Sequence, residues 1–106
     1  MADNIKAMVM ASFIADSLSL GAHWIYDQKK IRHEFGRIDK LTAPLAAGFH
    51  PNRSAGEFTH YGDQTLILLE SIAYCGAFDL DHFARSWQAL FADYNGYMDN
   101  ATNITL

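Results

Sequence analysis

The sequence predicts an all-α domain. Apolar residues recur at helical spacing in successive segments, residues suited to cap a helix stand just before those segments, and glycines stand just after several of them. At 106 residues, 50% of them hydrophobic and 19% charged, the chain has the composition of one small globular domain.

Asp3 and Asn4 are placed to cap a first helix from Ile5 to about Leu20, a run that meets no Gly or Pro until Gly21. Its main stripe is Ile5, Met8, Val9, Ser12, Phe13, Asp16 and Leu20, while Met10, Ile14 and Leu18 make the other side apolar too. That pattern predicts a helix buried on most sides. Asp27 is placed to cap a short second helix, with Ile31 and Phe35 on its apolar face and Gly36 as its stop. From Gly36 to Gly62, Pro44, Gly48, Pro51, Asn52, Ser54 and Gly56 break any period. A loop of that length is usually functional or disordered, and Phe49, Phe58 and Tyr61 argue against disorder.

A third helix is predicted from about Asp63 to Tyr74, with Leu66, Ile67, Leu69, Ile72 and Ala73 apolar and Gly76 as its stop. Asp79 then reads as the N-cap of a fourth helix, and Phe78 before it as a staple onto Phe83. Leu80, Phe83, Ala84, Trp87, Leu90, Phe91 and Tyr94 form its apolar stripe. The final stretch, YMDNATNITL, reads as another capped helix that begins near Asp99 and meets no stop signal. Together with a first helix that wants neighbours all round, it predicts the N-terminal piece of a larger helical protein.

The net charge of -4, with eight basic residues scattered along the chain, gives no electrostatic footprint for nucleic acid. Cys75 is the only cysteine, which excludes an internal disulfide and fits a reducing, cytoplasmic setting; at a helix end it reads as a small buried hydrophobe. The apolar N-terminus lacks a basic leading segment and is interrupted by Asp16, and no uninterrupted run approaches the ~20 apolar residues of a membrane span. The chain reads as soluble, without a membrane partner.

Two places carry candidate chemistry. Asp63 and Gln64 fall in the predicted first turn of the third helix, where unpaired N–H groups and the helix dipole favour negative charge, and the preceding loop delivers Thr59, His60, Tyr61 and a flexible Gly62 to the same point. Asp16 is a carboxylate on the main stripe of an apolar helix, so it must be hydrogen-bonded, paired, metal-bound or at a cavity wall. If the first and third helices pack together, Asp16 and Asp63 contribute to one site for a hard cation such as Mg²⁺; the simpler roles are capping of another helix for Asp16 and a first-turn acid at the helix dipole for Asp63. His23 and Trp24 read as packing around a helix corner, and Ser54 to Glu57 has capping-box spacing with no helical run after it.

The stretches ASFIADSLSLGAHWIYD and AGEFTHYGDQTLILLESIAYCGAFDLDHFARSW resemble the N-terminal part of the ADP-ribosylglycohydrolase superfamily, particularly its J1-crystallin-like branch. The resemblance covers most of the chain. It implies an all-α bundle larger than this chain, a site with two Mg²⁺ ions, and hydrolysis of the glycosidic bond joining ADP-ribose to a protein side chain or small acceptor. The J1-crystallin relatives imply the other outcome, a non-catalytic structural or ligand-binding member on the same scaffold.

The family's Thr-Asp-Asp-Thr motif falls on Gly62, Asp63, Gln64 and Thr65. The resemblance therefore implies metal ligation by Asp63 and Gln64, with His60, Tyr61, Gly62 and Asp16 around the substrate. Gln64 offers a neutral oxygen where the family has a carboxylate, which lowers affinity for a hard cation. The glutamate that many members carry after the first helix has no clean counterpart among His23, Trp24 and Ile25, so no general acid or base is assigned.

Overall fold

A computed structural model describes all 106 residues, Met1–Leu106, as helices joined by irregular segments, with no strand. The chain divides into two compact units, Met1–Thr59 and His60–Leu106.

The first unit opens with helix α1, Ala2–Ser19. It begins three residues before the expected Ile5, because the Ile5 N–H donates to the Met1 carbonyl at 3.1 Å and closes the first turn upstream. Asp3 is thus a first-turn acid facing the positive end of the helix dipole rather than a cap. Gly21 does not end the helix by a left-handed turn; α1 passes into a 3-10 turn at Leu20–Ala22. What requires glycine there is space. A Cβ at Gly21 would collide with Thr42 Oγ1 and lie 3.0 Å from the Thr42 carbonyl oxygen.

Phe13 and Leu20 are buried, yet Ile5, Met8, Met10 and Ile14 are each more than half exposed. The expectation that α1 is buried on most sides therefore fails: its apolar residues run round the whole helix, and the unit covers only part of that circumference. By length and composition alone, the 21 residues Ala2–Ala22, within which an 18-residue window reaches a mean hydropathy of 1.4, are long and apolar enough to cross a membrane. The core helices of soluble proteins pass the same test.

Beyond the 3-10 turn, Trp24 adopts a φ of 64°, unusual for a bulky side chain. It stacks on His23 with ring centroids 5.1 Å apart and meets Phe49 edge-on, while His23 Nδ1 lies 2.7 Å from Nε2 of buried His50. This is the packed corner that the sequence predicts, with a histidine from the irregular segment added to it. Helix α2, Gln28–Glu34, is capped as expected: Asp27 accepts from the N–H groups of Lys29 at 2.8 Å and Lys30 at 3.3 Å. Gly36, at φ 63°, ends it. In the irregular segment that follows, Ser54 N–H donates to Glu57 at 2.5 Å, so the capping-box spacing closes a turn.

The second unit holds α3 (His60–Cys75), α4 (Leu80–Phe91) and α5 (Asn100–Thr105). α3 and α4 pack against each other as a hairpin over a short connection. Asp79 accepts the His82 N–H at 2.8 Å, and the Phe78 and Phe83 rings lie 6.4 Å apart, so cap and staple stand where the sequence puts them. Gly76, at φ 75°, ends α3. Cys75 before it is exposed, not buried, because it lies in the last turn of α3 just before the chain leaves the helix.

Candidate functional site

α3 starts at His60, three residues before the Asp63 predicted for it. Two side chains reinforce this early turn: Gln64 Nε2 donates to the His60 carbonyl at 2.9 Å, and Thr65 Oγ1 to the Tyr61 carbonyl at 2.7 Å. Gly62, expected in the loop ahead of the helix, is accordingly a buried residue within it. His60, Tyr61, Gly62, Asp63 and Gln64 all lie on the first turn and a half of one helix.

What holds them is a set of side chains from later in the unit. Trp87 Nε1–H donates to Gln64 Oε1 at 2.8 Å, and the Tyr94 hydroxyl donates to Asp63 Oδ2 at 2.5 Å. Trp87, Phe91 and Tyr94 form an aromatic ladder with successive ring centroids 4.8 Å apart, so two of its polar tips grip consecutive residues of α3.

A second support comes from Asp99. Its Oδ1 accepts the Thr102 N–H at 2.8 Å and caps α5, while its Oδ2 lies 3.1 Å from the Tyr61 hydroxyl that donates to it and 3.5 Å from Nε2 of buried His60. The Thr102 N–H first, then the hydroxyls of Thr102 and Tyr61 and the His60 ring, hold the Asp99 carboxyl down at about 2 against the opposing effect of burial. Sequence reasoning found Asp99 as a cap and missed its bonds to α3; nothing local in the sequence links residues 38 positions apart. Tyr61, Gln64, Thr65, Trp87, Asp99 and Thr102 line an open cavity of about 360 Å³ beside this helix start.

Asp16 is described within the first unit. Its two carboxylate oxygens take both donors of Thr59, the backbone N–H at 2.9 Å and Oγ1 at 2.6 Å, and Thr59 is buried. The paired, hydrogen-bonded state demanded of a carboxylate on an apolar stripe is met this way.

The donors offer little to a hard cation. Within either unit no three His, Cys, Asp or Glu side chains converge. In the second unit Asp63 supplies one carboxylate, engaged by Tyr94, and both ends of the Gln64 amide are bonded. Mg²⁺ demands near-octahedral oxygen coordination, which this set alone does not supply.

An all-helical chain with an acid fixed at the start of α3 is the class the site defines, and the profile of the ADP-ribosylglycohydrolase family matches residues 1–104: the chain belongs to that family. It is 25% identical over 97 residues to crystallin J1A of Tripedalia cystophora, an alignment that covers 90% of this chain and 30% of the relative. The chain thus spans about 30% of that crystallin's length. No solved structure matches it significantly. Members of the family are generally metal-dependent hydrolases.

Proposed function

We propose that the chain serves an ADP-ribosylglycohydrolase-type hydrolase, in which the start of α3 faces the ribose side of an ADP-ribosyl group and Asp63 is the acid that acts there. The observation that supports this reading is the bond from Tyr94 to Asp63, which fixes a carboxylate in the first turn of a 16-residue helix beside His60 and Tyr61. Glycosidic cleavage passes through an oxocarbenium-like state, and a carboxylate already held in place stabilises that positive charge without reorganising. Water takes the place of the acceptor on the ribose, and the acceptor leaves with a proton. No step is assigned to Mg²⁺, because the donors present do not complete its coordination. The reducing, cytoplasmic setting is part of this proposal and is supported by the single, exposed thiol of Cys75.

Calorimetric titration of the chain with ADP-ribose, with Mg²⁺ and with EDTA, tests the reading. Asp63→Asn is expected to weaken binding about tenfold, the loss of a charged hydrogen-bonding group. Equal binding by the wild type and the variant would remove Asp63 from the site.

Gln64 favours a second reading, a non-catalytic, crystallin-like member. Where the family motif has an acid, this chain has an amide spent on Trp87 and on the His60 carbonyl, so the position serves the fold. Release of free ADP-ribose from an ADP-ribosylated protein would exclude this second reading.

A further inference from the structure

We propose that the cavity between α3, α4 and α5 of the second unit binds a primary ammonium ion on a short apolar stem, and that Asp99 is the anion that recognises it. The cavity has a volume of about 360 Å³, within the range of small-molecule sites. Tyr61 and Thr65 of α3, Trp87 of α4, and Asp99, Thr102 and Thr105 at α5 line it. Asp63 is not in this wall, so the inference does not depend on the role proposed for that residue.

Charge selects the sign of the ligand. No Lys or Arg enters the wall, and Asp99 is its one acid. The Thr102 N–H first, then the hydroxyls of Thr102 and Tyr61, hold that carboxyl at about 2, so it is ionised at neutral pH. The side chain keeps 18% of its surface exposed, which leaves it within reach of a ligand. Hydrogen bonding then selects a donor. The Tyr61 hydroxyl donates to Asp99 at 3.1 Å, the Thr65 hydroxyl to the Tyr61 carbonyl at 2.7 Å, the Thr105 hydroxyl to the Ala101 carbonyl at 2.8 Å, and the Trp87 N–H to Gln64 at 2.8 Å. Each of these groups has a single hydrogen, now spent within the unit, while the hydroxyl oxygens keep capacity to accept. An ammonium group brings three donors and a positive charge to a wall that offers acceptors and a negative one. Trp87 adds an aromatic surface that suits both the cation and the apolar stem behind it.

Benzylamine, protonated at pH 7, and neutral benzyl alcohol have nearly the same shape and make a suitable pair of probes. Each is titrated into the ¹⁵N-labelled 106-residue chain, and the Trp87 indole resonance and the amides of Thr65 and Thr102 are followed. Benzylamine is expected to bind about tenfold more tightly, the lower worth of a hydrogen bond to a charged group. Asp99→Asn, which keeps an oxygen to cap α5, is expected to remove that preference. Ala101→Lys, at an exposed position on the rim, places a fixed cation beside the acid and is expected to remove it without touching the cap. The proposal is overturned if neither probe binds or if the preference survives in both variants. Equal binding of the two probes by the wild type overturns it too, because a proton on buried His60, 3.5 Å from Asp99, would then cancel the charge. It is equally overturned if Mg²⁺ displaces benzylamine at a lower concentration than benzylamine itself requires, which would give the cavity to a metal ion.

Discussion

Trp87 and Gln64, 23 residues apart, are joined by a 2.8 Å bond from the indole N–H to the amide oxygen, and the same amide reaches back to the His60 carbonyl. One glutamine thereby ties α4 to the first turn of α3. Gln64→Ala leaves the partly buried indole N–H without its acceptor and is expected to destabilise the chain by about 1–3 kcal/mol. Gln64→Asp, which restores the family's acid, is too short to serve both partners and is expected to cost a similar amount. Urea denaturation of both variants checks this; an unchanged midpoint in Gln64→Ala would show that the amide is idle.

Asp99 gives the second unit a pH dependence. Its carboxyl lies lower in the folded chain, about 2, than the 3.8 of a free aspartate, so its contribution is fully present above about pH 4 and is lost as the pH falls towards 2. Asp99→Asn is expected to flatten the fall in stability over that window. Thermal melts from pH 5 to pH 2 make the comparison; equally steep curves would place the acid sensitivity elsewhere.

Asp16 binds both donors of Thr59. Asp16→Ala strands a buried N–H and a buried hydroxyl and is expected to cost about 2–4 kcal/mol, whereas Asp16→Asn keeps one acceptor and is expected to cost about half as much. Guanidinium unfolding of the two variants tests the order.

Gly21→Ala brings a methyl group against Thr42 Oγ1, which can rotate away, and against the Thr42 carbonyl at 3.0 Å and the Phe35 ring at 3.2 Å, which cannot move without shifting backbone or core. Overpacking of this kind costs about 1–3 kcal/mol. Pairing it with Thr42→Ala is expected to recover little of the loss, because the backbone oxygen remains; full recovery would show that the side chain alone sets the limit.

Most of the helical framework was legible because its punctuation is local. Asp27, Asp79 and Asp99 cap, Gly36 and Gly76 terminate, and Phe78 meets Phe83, each within a few residues of where it acts. The misreadings share a cause. Gly21 looked like a stop and is a point of close approach to Thr42; Gly62 looked like the end of a loop and is helical; Asp99 looked like a cap and also holds Tyr61 and His60. Each depends on a partner distant in sequence or on side-chain bonds that move a helix boundary, and periodicity carries neither. For the candidate site, the sequence placed Asp63 and Gln64 at a helix start, but only the structure brings Tyr94 and Trp87 to them.

Cys75 sits in the last turn of α3, twelve positions beyond Asp63 and so about 18 Å along the helix axis. Being the single cysteine and open to solvent, it accepts a maleimide dye at one defined position without competition. A fluorophore there reports on events at the start of the helix while remaining clear of them. The same openness means that, in air, two chains can join through this one sulfur, and a reducing agent keeps a preparation from being scored as an oligomer of its own making.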